Sequence, residues 1–174
     1  MRFGSAAEQV ASRIEAGEEV GEMLLSVLQP VMAERGYCPL PYAGVPILHF
    51  VPDRPIAVSV CPDVLRLSEC TDAEWALTHP RTDLPGDSFV MLCGNAVSAA
   101  AWLQNGEIAV ETAPACRRRG YARACAAALL SDALARGESP VYRCTARNVA
   151  SRALAASLGL VLSIHEYCPG FRRG

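Results

Sequence analysis

The chain has 174 residues, 51% of them hydrophobic and 20% charged, with 16 Lys+Arg against 18 Asp+Glu for a formal net charge of -2. That length fits one ordinary domain with a core of its own, and the hydrophobic content excludes an intrinsically disordered chain. A near-zero net charge with a pI near 5.9 gives no overall attraction to nucleic acid or to an anionic membrane, so any anion site has to be a local cluster.

The N-terminus runs from Met1 through Glu8, Gln9 and Arg13 without the apolar core of a secretory signal. The best apolar window, 89–103, is interrupted by Gly94-Asn95 and is too short to span a bilayer. A cytoplasmic protein with no membrane partner is the expectation. Val10 and Ile14, then Val20, Met23, Leu24, Val27, Leu28 and Val31, recur at helical spacing. Gly17 and Pro30 punctuate this run and predict two short helices with a break before Gly36. From Val45 the texture turns β-branched and aromatic, broken by Pro46, Pro52 and Pro55, which predicts edge-like strands over 47–51 and 56–60. Residues 65–87 show no steady periodicity and read as a loop with at most one short helix. They form the expected seam between an N-terminal part, 1–86, and a more regular part, 87–174, of one compact unit.

The second half is regular. Strand 89–93, the Gly94-Asn95 turn and strand 97–102 make a tight hairpin, because Gly and Asn tolerate the positive φ such turns need. Asn105-Gly106 then turns into a third strand, 107–112. After Pro114 comes Arg117-Arg118-Arg119-Gly120-Tyr121-Ala122-Arg123, followed by a helix whose stripe is Ala122, Cys125, Ala126, Leu129 and Ala133 and whose stop is Gly137. A strand over 141–146 precedes Asn148, a candidate N-cap for a helix ending at Leu158-Gly159, and 160–167 reads as the closing strand.

Eight cysteines, at 38, 61, 70, 93, 116, 125, 144 and 168, contain no Cys-x-x-Cys pair and no paired histidines at zinc spacing, so no metal site is expected. They read as small buried thiols in a reducing compartment, with Cys116 the one beside a basic cluster.

The turn 117–122 carries the chemistry. A strand feeding a glycine turn and a helix start presents backbone N–H groups where the helix dipole favours anions. Gly120 and Ala122 lack bulk, and three arginines add charge-assisted donors. The same turn also fits a plain charged helix start, and it lacks the Gly-Lys-Ser/Thr ending of a Walker loop. Glu107 and Glu111 lie four residues apart and so share one face of their strand.

With these residues in place, the stretch 107–160 resembles the GNAT superfamily of acetyl-CoA-dependent N-acetyltransferases. The resemblance rests on Ile108 to Thr112 before the turn, on Arg117 to Ala122 as the Arg/Gln-x-x-Gly-x-Gly/Ala signature, and on Asn148 to Ser151 followed by Leu154, Leu158, Gly159 and Leu160. More loosely, Thr112, the strand after Pro140 and Asn148-x-x-Ser151 resemble the bacterial branch that includes antibiotic self-resistance acetyltransferases. The resemblance implies an α/β fold, a mixed, mostly antiparallel twisted sheet with helices on both faces, and an N-terminal part forming the acceptor-side wall. It implies that Val110 and Thr112 bond the pantetheine arm through their backbone, that the amides from Arg118 to Arg123 hold the pyrophosphate, and that Asn148 and Ser151 stand near the cofactor. Asn148 fits a plain helix cap equally well.

The family often has a Tyr that protonates the departing thiolate, and here Ala155 occupies that position. Tyr167, Tyr142 and Tyr121 are the remaining phenols, with Tyr167 first as a catalytic candidate beside Glu111 and Glu107; His165 and His49 are further base candidates. The implied activity is acetyl transfer from acetyl-CoA to a primary amine of a small molecule in a ternary complex, by a monomer or homodimer with no metal and no nucleic acid. The alternatives are a non-catalytic acyl-CoA-binding or sensing module and, through the arginine cluster, an RNA or phosphoprotein contact.

Overall fold

The computed structural model describes residues 8–9, 12–13, 20–40, 43–52, 61–167 and 170–174. The expected strand at 56–60, Val10, Ile14, Gly17 and Cys168 lie outside the described residues. The chain forms two compact units, one of Met1–Leu48, Cys144–Asn148 and Ile164–Gly174, the other of His49–Arg143 and Val149–Ser163. This division does not fall at residue 86, because 61–87 is built into the second unit by the pairings given below.

In the first unit, helix α1 spans Val20–Ala33 and passes through Pro30 instead of ending there. Pro30 sits in the last turn, where its carbonyl still accepts from Glu34 N at 3.2 Å, and the helix ends before Gly36, where the break is expected. The helix stops at Gly36, whose φ of 76° is left-handed. A Cβ on Gly21 would lie 2.1 Å from the Gly44 carbonyl oxygen, so the helix backbone and the 43–44 turn meet only because both residues are glycine. Strand β1, Tyr37–Pro39, pairs antiparallel with β10, Phe171–Arg173. Strand β2 is Pro46–Val51, and its Pro46 carbonyl accepts from Ala146 N at 2.8 Å.

The second unit is built on a five-stranded sheet. Strand β5, Phe89–Cys93, pairs antiparallel with β6, Ala96–Gln104, across a turn in which Gly94 takes φ 64°. Strand β7, Glu107–Thr112, follows a turn in which both Asn105 (φ 53°) and Gly106 (φ 79°) are left-handed, as a type I′ hairpin requires. Two short strands complete the sheet: β3, Leu65–Arg66, antiparallel to β5, and β4, Glu74–Trp75, parallel to β6. The stretch read as a loop is therefore a strap of two strands and two 3-10 turns, 67–69 and 81–83. No sequence period marks it, since each strand is only two residues long.

Strands β4 and β7 share one edge of β6 end to end. Glu74 and Trp75 pair with Ala96 and Val97, while Thr112 to Glu107 pair with Ala99 to Gln104. A register shift opposite Met91/Leu92 leaves Ser98 between the two partners.

Leu67, Cys70, Leu77 and Leu84 of the strap pack with Val90, Val97, Ala100 and Trp102 as one core cluster. Arg81 ties the strap by donating to the carbonyls of Cys70 and Ala73. Helix α2, Tyr121–Ala135, also packs on the sheet, and the small side chains of Ala99 and Ala101 are fully buried. Its buried face is wider than the predicted stripe, because Ala127, Ala128 and Leu130 are covered along with Cys125, Ala126, Leu129 and Ala133. Gly137 ends it as expected, with Glu138 N on Ala133 O and Gly137 N on Leu134 O, the Schellman pattern. Strand β8 is Tyr142–Thr145, helix α3 is Val149–Ser157, and strand β9 is Val161–Tyr167. Among the described residues no helix is long and apolar enough to cross a membrane.

Candidate active site

The outer edge of β7 is the first element of the site. Ile108 N donates to Val141 O at 2.8 Å, while Ala113 N donates to Ser98 O at 2.8 Å. Alternation along the strand therefore turns the amides of even-numbered residues away from β6 and those of odd-numbered residues toward it. Val110 and Thr112 belong to the outward set. Pairing of β7 with the segment leading into β8 is parallel and limited, among the described residues, to Glu107↔Val141. Beyond Ile108 the edge has no further strand partner among the described residues, and such an edge is a template on which an extended ligand arm can lie as an extra strand. Thr112 Oγ1 is buried without a hydrogen-bond partner among the described residues, and Arg117 Nε donates to Thr112 O at 3.4 Å.

The second element is the turn at the start of α2. Arg118 (φ 62°) and Gly120 (φ 82°) are both left-handed. Gly120 precedes the helix with no side-chain cap, and the first helical bond is Ala124 N to Gly120 O at 3.0 Å. The amides of Tyr121, Ala122 and Arg123 therefore come before any acceptor of their own helix and point into the turn. A Cβ on Gly120 would meet nothing within 4 Å, and Arg117, Arg118 and Arg119 are exposed. Main-chain amides at a helix start, with arginines adjacent in the chain, are donors that an anionic phosphate favours.

Arg119 is held in place. The Tyr121 hydroxyl is the main reason its affinity for a proton rises further, and its Nη1 lies 3.7 Å from Cys93 Sγ. Arg123 Nε donates to Ser157 O at 3.3 Å, joining α2 to α3. A groove of about 410 Å³ lined by Leu65, Met91, Leu92 and Tyr121 adjoins the turn.

Seven cysteines among the described residues are free thiols. Burial pushes Cys125 up to about 12, which leaves it without thiolate at neutral pH.

The two strand carboxylates have different surroundings. Glu107 pairs with Arg143 at 2.7 Å, where the two parallel segments meet. Glu111 receives three donors from the strap: Thr78 N at 2.7 Å, the Thr78 hydroxyl, and His79 N at 3.1 Å. Burial by itself would raise the Glu111 carboxyl, but the Thr78 and His79 donors outweigh it and hold it below the usual carboxylate range. Through these donors Glu111, the first of the two carboxylates expected as general base, anchors 78–79 over β7.

This strap brings in a residue that sequence reasoning missed. The His79 ring lies 5.3 Å from that of Trp102, and its Nδ1 is 3.9 Å from Glu111 Oε2. No local pattern marks His79, because its neighbours reach it only through the parallel pairing of β4.

The other sequence candidates are distributed between the units. Asn148 directly precedes α3, its amide donating to Thr145 O at 2.9 Å, and Ser151 lies in the first turn of that helix. Tyr167 belongs to the first unit, with its ring 3.3 Å from where a Cβ on Gly21 would stand. Tyr142 is buried. His165 is exposed and His49 is partly buried. Ala155 is fully buried, which bears on the missing phenol. Installing a tyrosine there has to displace packed neighbours, so Ala155→Tyr is expected to lower stability by about 1 to 3 kcal/mol rather than present a phenol to a ligand. Thermal melting checks this, and an unchanged midpoint would contradict it.

Residues 91–167 match the family profile described as GNAT acetyltransferase. Among solved structures, the fold is similar to that of a GNAT-family protein from Novosphingobium aromaticivorans, with TM-score 0.56 and 21% identity over 75% of this chain and 64% of that one. It is also similar to a GCN5-related N-acetyltransferase-like protein from Streptococcus suis, with TM-score 0.51 and 22% identity over 82% of this chain and 65% of that one. The chain thus spans just under two thirds of the length of these structures. No curated protein sequence matches it. The fold is the mixed α/β fold of that superfamily, and the match begins in β5 and runs through β9.

Proposed function

We propose, for a chain that carries a GNAT acetyltransferase domain over residues 91–167, that it moves an acetyl group from acetyl-CoA to a primary amine of a small molecule. The observation that carries this reading is the open outer edge of β7 leading directly into the uncapped amides of Tyr121 to Arg123. A pantetheine arm has alternating amide donors and acceptors and ends in a pyrophosphate, so it complements this edge and turn in order. Val110 and Thr112 would bond the arm through their main chain, Arg117 to Arg123 would hold the phosphates, and Asn148 and Ser151 would stand at the start of the following helix.

Acetyl-CoA supplies the acyl group already activated as a thioester. The protein holds the arm extended, places backbone dipoles where negative charge develops, and removes a proton from the acceptor. Near-neutral charge favours a small acceptor over a polyanion or a basic tail.

The test is release of CoA from acetyl-CoA in the presence of a panel of small primary amines, with mass spectrometry of the acetylated product. Acetylated amine is the expected result. Tight CoA binding without any product would instead identify a binding or sensing module.

A further inference from the structure

We propose that His79, oriented by Glu111, is the group that takes the proton from the acceptor amine, an assignment that rests on the acyl-transfer reading above. His79 lies in the strap, held by both its main chain and its ring. Its main-chain N–H donates to Glu111 Oε2 and its main-chain carbonyl accepts from Trp75 Nε1, while its ring packs on Trp102 and Nδ1 lies 3.9 Å from the Glu111 carboxylate. The side chain is 48% exposed. A carboxylate opposite Nδ1 selects the tautomer protonated there and leaves Nε2 as the nitrogen with a lone pair. The 3.9 Å separation is an ion-pair distance that shortens once the ring gains a proton.

The position on the sheet is appropriate. Trp102 pairs with Ala109 on β7, so the imidazole stands on the face that carries Glu107, Ala109 and Glu111. Ala109 is the small residue between the two carboxylates, one position from the outward backbone of Val110. Of the two carboxylates, Glu107 is committed to Arg143 and Glu111 to the strap.

The proton balance is complete with these groups. The ammonium form of the acceptor gives one proton to His79 Nε2, which passes it to solvent, and Glu111 stabilises the imidazolium meanwhile. The neutral nitrogen then bonds the acyl carbon as the carbon–sulfur bond breaks, and the second nitrogen-bound proton goes to the sulfur. His79 is the catalytic residue in this scheme, and Glu111 is a positioning residue.

Two measurements on the full chain test this. Long-range proton–nitrogen NMR of the wild type should show the neutral His79 ring as the Nδ1–H tautomer, with that preference reduced in Glu111→Gln. His79→Gln should lower kcat by about 10²-fold or more, the usual size for loss of a general base, with CoA affinity and the KM for acetyl-CoA unchanged. A neutral ring protonated on Nε2, or a kcat within about twofold of wild type, would overturn the assignment while acyl transfer itself stands. No acetylated product from the wild type would overturn the acyl-transfer reading and this assignment together.

Discussion

Gly120→Glu is expected to abolish CoA binding while the fold persists. The backbone at Gly120 is left-handed, φ 82°, and a Cβ there meets no protein atom within 4 Å, so the substitution does not clash at its root. Two effects add. A non-glycine residue in that conformation costs about 1 to 2 kcal/mol of backbone strain. The new carboxylate then sits at the mouth of the amide turn, where it competes with and repels a phosphate. Calorimetry should record a loss of at least about 10²-fold in CoA affinity, near 2.7 kcal/mol. Gly120→Ala separates the two effects, since it carries the strain without the charge and should lose far less. Unchanged affinity in Gly120→Glu would remove the turn from the cofactor site.

The edge of β7 yields a pair of proline substitutions with opposite outcomes. Ala109 N points toward β6, so Ala109→Pro removes a ladder bond inside a sheet and should cost about 3 kcal/mol or more. Val110 N points to the open edge, where proline removes no ladder bond. The fold should survive Val110→Pro with a melting temperature within a few degrees of wild type. The lost donor is one that the pantetheine arm would use, and its removal should weaken CoA binding by roughly tenfold, the worth of about one hydrogen bond. If CoA affinity is untouched in a folded Val110→Pro, the arm does not run along this edge.

Both predictions concern positions that local chemistry already marked. Residues 117–122 stand out because a glycine able to adopt positive φ, small neighbours and arginines occur together over six residues, and the turn forms by short-range rules. The same is true of Gly94-Asn95, Asn105-Gly106 and Gly137, where a left-handed residue closes a hairpin or ends a helix. The outward orientation of Val110 and Thr112 follows from strand alternation once the register of one neighbour is known.

The strap was illegible for the opposite reason. Strand β4 has two residues and finds its partner, Ala96 and Val97, about twenty positions away in parallel, so neither period nor turn chemistry announces it. Pro30 is tolerated in α1 because a proline in the last turn forfeits only one helix bond, and the helix ends shortly after it.

Sequence by itself determined the elements whose information is local: the hairpins, the helix stops, the anion turn and the strand on which Glu107 and Glu111 share a face. Only the tertiary structure decided what those carboxylates touch. Glu111 anchors the strap because Thr78 and His79, more than thirty residues away, bring their donors to it, while Glu107 meets Arg143 where two parallel segments touch. A side chain's protonation and role depend on the dipoles and charges within a few ångströms of it, and those are set by long-range pairing that no window of sequence contains.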